Sequence, residues 1–342
     1  MKVDNLDEWR NAEKNEFQKI AYKDLQKGEW NFISGNDQAL LAKLSAVKDT
    51  LETMTDRIFQ GLKTGADKVF IVRPIKETNT HFTIYSSQLE AEFKLERNLV
   101  HPLIKGGDSR NYVMGNSSLA IIFPYRENAG GKVSLIPESQ IKKEFPLVYN
   151  YLTQNKKLLQ SRDNGKMKED SWYGFSRNQA LDVINTPKLF TPDISPSASY
   201  SIDEKGEIFF TGGVSGGYGI KVKEKLNEYY ILGLLNSKLL DWFLKSTSTQ
   251  MRGGWYSYEA KYIKHLPVIV PTPANKGLVE SIIGHVKSMI KLQRDKQETT
   301  LPHQLEQLEQ KINHIQNSID KTVYQLYNLA QEEIEVIEKT AI

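Results

Sequence analysis

The stretch YYILGLLNSKLLDWFLKSTSTQMRGGWYSYEAKYIKHLPVIVP, residues 229–271, decides the fold. Its first part, Tyr229–Leu244, is apolar around most of a helical circumference, which predicts a buried helix. Hydroxyl groups, two glycines, one arginine and several aromatic rings follow in Ser246–Tyr258. We therefore expect a rigid buried helix that holds a loop out as a contact surface.

The loop Arg252-Gly253-Gly254-Trp255 has a composition that suits nucleic acid. Arginine bonds guanine bidentately or binds phosphate, glycine lets another backbone approach closely, and tryptophan stacks on a base. The alternative is an ordinary glycine turn with Arg252 packed on Trp255. The loop alone slightly favours the turn, so the choice depends on the rest of the chain.

The composition is that of a globular protein large enough for two domains, with 342 residues, 39% hydrophobic and 25% charged. Cysteine is absent, which excludes disulfides, thiolate zinc sites and cysteine nucleophiles. A net charge of +3 neither requires nor excludes nucleic acid. The charged N-terminus has no apolar signal core, and no run reaches membrane length, which predicts a cytoplasmic protein without a membrane partner.

Alternating and 3.6-residue patterns predict short strands between helices, followed by a purely helical C-terminal part. We predict an α+β fold: a mixed β-rich recognition domain with flanking helices, plus an all-α C-terminal helical hairpin or bundle. The predicted domains are a helical segment over 1–55, a recognition domain over 56–272 and a helical domain over 273–342. The predicted helices cover 5–30, 37–54, 141–159, 229–244, 278–292, 305–326 and 331–342. The predicted strands cover 58–59, 68–72, 80–85, 119–123, 188–192, 200–203, 207–211 and 218–222.

Two enzyme patterns compete with a binding function. Gly213–Gly217 fits the G-x-S-x-G nucleophile motif at Ser215, with Asp241 and His265 following in hydrolase order. A nucleophile elbow requires a helix directly after the motif, whereas Tyr218–Val222 alternates like a strand.

Asp193 and Asp203 with Lys205 fit a metal-dependent nuclease signature, in which carboxylates bind Mg²⁺. Asp203–Gly206 also fits a plain hairpin turn, which is the commoner use of such a sequence. A third possibility is a protein-interaction scaffold, if the C-terminal helical hairpin leaves its apolar seam exposed.

Basic and aromatic residues recur in five loops between the short strands. Each loop is weak evidence alone, but together they favour one basic, aromatic face. A charged run over 162–170, which precedes the fourth of these loops, is predicted to be mobile. The loops contain Lys63, Lys105–Arg110, Tyr125–Arg126, Trp172–Arg177 and Arg252–Tyr256.

Several segments resemble, in the same order, the TaqI-like C-terminal specificity domain of bacterial N6-adenine DNA methyltransferases and of type IIG restriction–modification enzymes. The similarity spans about residues 20 to 340, and its first motif is QGLKTGADKVFIV at residues 60–72. The other similar segments are 102–108 with 121–125, 172–177 with 187–188, 234–238 with 252–254, 266–267, 319–329 and 332–334.

The resemblance implies sequence-specific recognition of double-stranded DNA by a domain that is not catalytic alone. In such enzymes a separate domain or subunit binds S-adenosylmethionine and carries an Asn-Pro-Pro-Tyr motif. This sequence lacks that motif, so the resemblance implies that no cofactor binds here. It places S-adenosylmethionine, and Mg²⁺ if an endonuclease is attached, in a methyltransferase catalytic partner.

The expected DNA contacts follow from the basic loops and the resemblance together. Cations are expected to bind phosphates or bases, while aromatic and hydroxyl groups shape the contact. The predicted DNA-binding residues are Lys63, Thr64, Lys105, Arg110, Ser176, Arg177, Arg252, Trp255, Tyr256 and Lys261.

Overall fold

A computed structural model describes residues 36–109, 111–115, 117–128, 130–167 and 171–340. The helix predicted over 5–30 and the predicted DNA contact Arg110 lie outside these residues. Among the described residues, no helix combines the length and the apolarity needed to cross a membrane.

The described residues confirm the predicted α+β fold, with strands concentrated before residue 258 and long helices after residue 275. The helices are α1 (Asn36–Ser45), α2 (Leu51–Met54), α3 (Asp67–Phe70), α4 (Glu138–Glu144), α5 (Pro146–Gln154), α6 (Lys156–Gly165), α7 (Glu228–Leu235), α8 (Lys238–Thr247), α9 (Ala260–Ile263), α10 (Lys276–Glu298), α11 (Pro302–Leu326) and α12 (Gln331–Thr340). The first eight strands are β1 (Thr55–Gln60), β2 (Ile71–Glu77), β3 (His81–Ser86), β4 (Ala91–Glu96), β5 (Val100–Ile104), β6 (Tyr112–Val113), β7 (Leu119–Ile122) and β8 (Tyr125–Glu127). The other eight are β9 (Val133–Leu135), β10 (Lys188–Pro192), β11 (Ile194–Ser195), β12 (Ser201–Asp203), β13 (Phe209–Phe210), β14 (Gly217–Val222), β15 (Gln250–Met251) and β16 (Trp255–Ser257).

A five-stranded sheet in the order β1-β14-β10-β12-β6 separates two hydrophobic cores. Successive side chains of a strand point to opposite faces, so β10 contributes Leu189 to one core and Phe190 to the other. The first core also takes in α7, α8 and the C-terminal helices. The second is covered by a six-stranded sheet in the order β13-β5-β7-β2-β3-β4 and by α4 to α6.

The predicted single helix over 229–244 is instead two buried helices, α7 and α8, separated by Asn236 and Ser237. The side-chain amide of Asn236 bonds the backbone of Tyr200, accepting from its N–H at 3.0 Å and donating to its C=O at 2.8 Å. The Ser237 hydroxyl accepts from the Leu240 N–H at 3.3 Å and so caps α8. The break therefore ties the helical pair to strand β12.

Two other predicted helices are also interrupted. The helix predicted over 37–54 ends at Ser45, because the chain turns to bond the segment 266–268 before α2 starts. The helix predicted over 141–159 falls into α4, α5 and α6. Pro146, which has no N–H for a helical hydrogen bond, begins the second of these pieces.

The C-terminal helices α10 and α11 form the predicted hairpin, and α12 follows it. Ile319 and Val323 of the predicted seam are buried, whereas Leu305 and Leu308 near the start of α11 are half-buried. The side chain of Ile282 in α10 packs closely on Gly233 of α7. The seam is therefore mainly a packing surface, which disfavours the scaffold hypothesis. The boundaries at 55/56 and 272/273 stay predictions.

Candidate nucleic-acid interface

The glycine-rich loop 212–216, between β13 and β14, joins three segments that are distant in sequence. Its Gly212 N–H donates to the Leu62 carbonyl at 3.0 Å, and its Ser215 carbonyl accepts from the Gly106 N–H at 3.0 Å. The Gly216 carbonyl accepts from the Asp193 N–H at 3.2 Å. The loop therefore holds the basic segments around Lys63 and Lys105 beside the end of β10.

Glycine is required at two positions of this loop. A Cβ on Gly216 would lie 1.8 Å from the Thr211 carbonyl oxygen, which no side chain could tolerate. Gly213 has a φ of +91°, in the region that favours glycine. Its open face lies next to Lys63, whose Nζ would be 3.0 Å from a Cβ at this position. The loop therefore places a cation above exposed backbone.

Lys63 and Arg177 are neighbours, although 114 positions separate them in the numbering. The Arg177 N–H donates to the Lys63 carbonyl at 3.3 Å, and the Ser176 N–H donates to the Thr64 carbonyl at 3.1 Å. This short antiparallel pairing places two of the predicted contact residues side by side.

Thr64 and Ser176 shape this pairing from the inside. Thr64 is buried; its hydroxyl donates to the Asp67 carboxylate and accepts from the Ala66 N–H at 3.0 Å. Ser176 is half-buried against Gly65, where a Cβ would lie 1.8 Å from its hydroxyl oxygen. The structure therefore gives Thr64 a positioning role, with no exposed hydroxyl for DNA.

Strands β15 and β16 form a hairpin whose tip is Arg252-Gly253-Gly254. Both glycines have positive φ, +85° and +80°, so the tip depends on glycine for its conformation. Trp255 is 42% exposed, and Met251 lies opposite it on the neighbouring strand. Trp255 is therefore not a core residue.

Tyr256 is half-buried on the same hairpin. The Lys245 Nζ of α8 lies 5.6 Å from the centroid of its ring. This contact anchors the hairpin on the buried helical pair, as the sequence predicted for residues 229–258.

The base of the hairpin is bonded to the segment that follows β10. β16 pairs with β11, and the Tyr258 N–H donates to the Asp193 carbonyl at 2.9 Å. Asp193 in turn donates its N–H to Gly216. The hairpin and the glycine loop are thus two parts of one hydrogen-bonded unit.

The side chain of Asp193 lies in the floor of this unit. Its Oδ1 is buried and has no hydrogen-bond partner among the described residues. Burial raises the pKa of this carboxyl, Glu259 raises it further, and Lys63 and Lys261 oppose the shift. Both lysines are therefore close enough to sense the charge of the same carboxyl group.

We call the cations that lie around the glycine loop and the hairpin the recognition face: the half-buried Lys63 and the exposed Lys105, Arg177, Arg252 and Lys261. Lys261 has a carboxylate partner, Glu259, at 3.6 Å. The other four have no ion-pair partner among the described residues, so Lys63 and Arg177 are not held there in surface ion pairs, which is the ordinary alternative to a binding role. Unpaired exposed cations are available for phosphate oxygens.

One of the five basic loops takes no part in this face. Arg126 is paired with Glu144 at 2.7 Å, and the Tyr125 hydroxyl is turned inward to accept from the Phe175 N–H. Trp172, in the next loop, is buried.

Three further residues were not predicted from the sequence: Lys68, Arg73 and Tyr85, which line a cavity together with Lys105. In the sequence they were visible only as two basic residues and one tyrosine on short elements; the structure shows that all three are exposed.

The hydrolase alternative fails on local geometry. The residues after Ser215 form strand β14 rather than a helix, so there is no nucleophile elbow. Asp241 accepts hydrogen bonds from the Ala198 N–H at 2.7 Å and from the Tyr258 hydroxyl at 2.6 Å, and pairs with Lys245. The Asp241 carboxylate therefore stabilises the local structure through these contacts and does not orient a histidine.

The nuclease alternative fails because Asp193 and Asp203 are far apart. Asp203 pairs in register with Lys188 at one end of β10, and Asp193 follows the other end. Five residues of extended strand separate these ends by about 16 Å. Both Asp203 oxygens are also fully bonded, to the Lys188 ammonium and to three backbone N–H groups of the turn. The turn predicted at 203–206 accounts for this carboxylate.

Comparison with known proteins confirms the resemblance seen in the sequence. The family model of the TaqI-like C-terminal specificity domain matches residues 136–268, which contain Arg177 and the whole hairpin. The type II restriction enzyme and methyltransferase RM.Eco57I of Escherichia coli is 26% identical over 253 residues, which is 69% of this chain and 25% of that protein. The type II methyltransferase M.BstVI of Geobacillus stearothermophilus is 22% identical over 301 residues, 85% of this chain and 42% of that protein.

A third relative is the type II methyltransferase M.PaeR7I of Pseudomonas aeruginosa, 26% identical over 268 residues. The match covers 74% of this chain and 40% of that protein. The chain therefore spans less than half the length of these relatives.

Proposed function

We propose that this chain binds duplex DNA sequence-specifically and is the target recognition part of a restriction–modification enzyme. The observation that carries the proposal is the recognition face itself. Four cations that have no ion-pair partner among the described residues lie around the glycine loop and the hairpin that is hydrogen-bonded to it, and the hairpin carries an exposed tryptophan. The hairpin and Arg177 lie within the segment that matches a specificity domain. Phosphate contacts set affinity and register, while base contacts set sequence.

We further propose that methyl transfer belongs to a catalytic domain or subunit with which this chain acts. That partner would be an adenine-N6 methyltransferase that binds S-adenosylmethionine and takes the target base out of the duplex. The name of the Escherichia coli relative, which combines restriction enzyme and methyltransferase, supports an attached Mg²⁺-dependent endonuclease of type IIG. The other two relatives are named as methyltransferases alone. We expect the assembly to work in the cytoplasm.

The direct test is selection from a randomised duplex library at two salt concentrations, with and without a candidate methyltransferase half. We expect one short word to be enriched, with binding that weakens as salt increases. Absence of enrichment in every condition would overturn direct DNA recognition by this chain.

Removing two cations of the recognition face should reduce the salt dependence of DNA binding. The double variant Lys63→Ala/Arg177→Ala should make the negative slope of log binding constant against log salt concentration shallower by about 2, because each phosphate contact contributes about 0.9. The measurement is fluorescence anisotropy of a labelled duplex over a salt series. The matched control is Lys276→Ala/Lys291→Ala, two exposed lysines of α10, which should leave the slope unchanged. Equal slopes in the two double variants would contradict phosphate binding at Lys63 and Arg177.

Removing Arg252 should change sequence preference more than general affinity. If its guanidinium bonds a guanine, Arg252→Ala costs about 1–3 kcal/mol at one base pair and relaxes selectivity there. Binding to the selected word and to single-base substitutions of it measures this. Arg252→Lys keeps the charge but loses the bidentate geometry, so it should show the same relaxed position. A uniform loss over all sequences would instead identify Arg252 as a phosphate contact.

A further inference from the structure

A cavity of about 330 Å³ lies beside the recognition face and shares only Lys105 with the proposed contacts. Its lining combines apolar, aromatic and basic side chains. Its lining comprises Ile71 and Leu119, Tyr85, Lys68, Arg73 and Lys105, with Asp67 and Ser87. Cavities of this size are within the range that binds small ligands.

The strand register explains how these groups meet. Arg73 of β2 lies directly opposite Tyr85 of β3, and both are exposed. Ile71 is two residues before Arg73 and so shares its face of the sheet. Tyr85 is 40% exposed, a large fraction for an aromatic side chain on a strand that pairs on both sides.

The polar groups of the cavity are available to a ligand. Among the described residues, the Tyr85 hydroxyl has no hydrogen-bond partner, and Lys68, Arg73 and Lys105 have no ion-pair partner. The carboxylate of Asp67, by contrast, already accepts the Thr64 hydroxyl. The cavity is therefore lined by three cations without an ion-pair partner among the described residues, and by one carboxylate, Asp67, that already accepts a hydrogen bond.

This chemistry matches one kind of ligand. Three cations in one lining favour a phosphate, and guanidinium groups bond phosphate oxygens through paired N–H donors. An exposed tyrosine in a lining that also contains apolar side chains favours a planar ring, because bases stack on aromatic side chains with little dependence on sequence. A nucleotide carries a phosphate and a planar base in one small molecule, so it could use both parts of this lining.

The cavity is continuous with the recognition face through one residue. Lys105 also lines a second depression, of about 540 Å³, that reaches Ser215 of the glycine loop. The Gly106 N–H bonds that serine's carbonyl, which fixes Lys105 next to the loop. A strand of DNA on the recognition face would therefore pass the mouth of the cavity.

We propose that this cavity binds a single nucleotide, with the base against Tyr85 and the phosphate between Lys68, Arg73 and Lys105. The nucleotide is either an unstacked residue of the bound DNA or a free nucleotide. The first source rests on the proposed DNA-binding function, and the second does not.

The test uses 2-aminopurine, whose fluorescence is quenched by stacking. In one arm the probe is free 2-aminopurine deoxynucleoside monophosphate, with inorganic phosphate as the competitor. In the other arm, 2-aminopurine is placed in turn at each position of the selected duplex, and total duplex binding is followed by anisotropy. The variants are Tyr85→Ala, Tyr85→Phe and Arg73→Gln, with Lys94→Gln, an exposed lysine of β4 outside the cavity, as control.

We expect quenching of the free probe, a change in emission at one position of the duplex, or both. Tyr85→Ala should weaken nucleotide binding in the responding arm about fivefold or more, and Tyr85→Phe should preserve it because the ring remains. Arg73→Gln should weaken it, and Lys94→Gln should not. A response of the free arm alone identifies a free nucleotide; an emission change at one duplex position, altered by Tyr85→Ala, identifies an unstacked residue of DNA.

Other outcomes separate this proposal from the proposed function. Duplex binding that persists while neither arm responds to Tyr85→Ala overturns the nucleotide site and leaves DNA recognition standing. Nucleotide quenching without any duplex binding overturns DNA recognition and leaves the site standing. Competition by inorganic phosphate with no base-dependent quenching makes the cavity an anion site and overturns the stacking role of Tyr85.

Discussion

Replacing Asp203 with alanine should destabilise the fold by about 3–5 kcal/mol, because it leaves a buried ammonium group without its counterion. The Lys188 Nζ lies 2.6 Å from the Asp203 carboxylate, and the two side chains are 0% and 4% exposed. The same carboxylate also accepts the N–H groups of Gly206, Glu207 and Ile208 at 3.0, 3.2 and 2.9 Å. Its loss therefore affects both the ion pair and the turn into β13.

The pH dependence of this variant has a definite sign. In the wild-type chain, burial lowers the pKa of Lys188, while the charge of Asp203 and its hydrogen bond raise it. Without Asp203 only burial remains, so the folded-state pKa falls further below the unfolded value of about 10.4. The unfolded chain then binds more protons, and stability must rise with pH up to that value.

Urea unfolding at pH 7 and at pH 9.5 measures both effects. We expect Asp203→Ala to recover part of its loss at the higher pH, relative to the wild-type chain. The matched control is Asp182→Ala, which breaks an ion pair of 2.8 Å to Arg57 whose side chains are 61% and 43% exposed. Exposed pairs contribute at most about 1 kcal/mol. Equal losses in the two variants, or a loss without recovery at high pH, would contradict a buried charge as the cause.

Several strands were predictable because their signal is local. The strands predicted over 188–192 and 218–222 match β10 and β14 almost to the residue. The strand predicted over 68–72 was wrong for its first part, because Asp67–Phe70 form helix α3 and β2 begins at Ile71, and β4 and β5 were not predicted. The breaks in the helices were not predictable in this way. Asn236 interrupts an apolar helical pattern because its amide bonds Tyr200, which is 36 positions away in the chain.

The candidate site shows the same division between local and long-range information. Glycine and exposed arginine in one short loop predicted the hairpin tip at 252–254 correctly as a protruding turn. Thr64, however, was predicted to contact DNA and is buried, where its hydroxyl donates a hydrogen bond to the Asp67 carboxylate. Arg162, in a charged run predicted to be mobile, is also buried. Sequence cannot show that a charged side chain turns inward to carbonyls contributed by distant segments.

The guanidinium of Arg162 joins its own helix, α6, to two other segments of the chain. It donates to the carbonyls of Leu159 at 2.8 Å, Thr64 at 2.7 Å and Trp172 at 2.7 Å. The Thr64 carbonyl is the same one that accepts the Ser176 N–H. Burial lowers the pKa of Arg162, yet an arginine stays protonated in proteins. One buried cation therefore fixes the pairing that carries two cations of the recognition face.

Replacing Arg162 with alanine should cost at least about 3 kcal/mol, because three charge-assisted hydrogen bonds are lost and buried carbonyls are left without a donor. DNA binding should weaken as well, even at temperatures where the variant is folded. The reason is that the segments of Lys63 and Arg177 lose their common support. Thermal unfolding and anisotropy titrations over a salt series measure the two effects separately.

Arg126→Ala is the matched control for this prediction. It also removes an arginine that pairs within the chain, but its partner is a single carboxylate, Glu144, and its side chain is 47% exposed. We expect less than about 1 kcal/mol of destabilisation and unchanged DNA binding. If Arg162→Ala destabilised the fold but kept the wild-type affinity for DNA and the wild-type salt slope, the recognition face would not depend on the hydrogen bonds of Arg162. A reduced slope in a folded Arg162→Ala chain would instead show that a residue remote from DNA determines how Lys63 and Arg177 meet it.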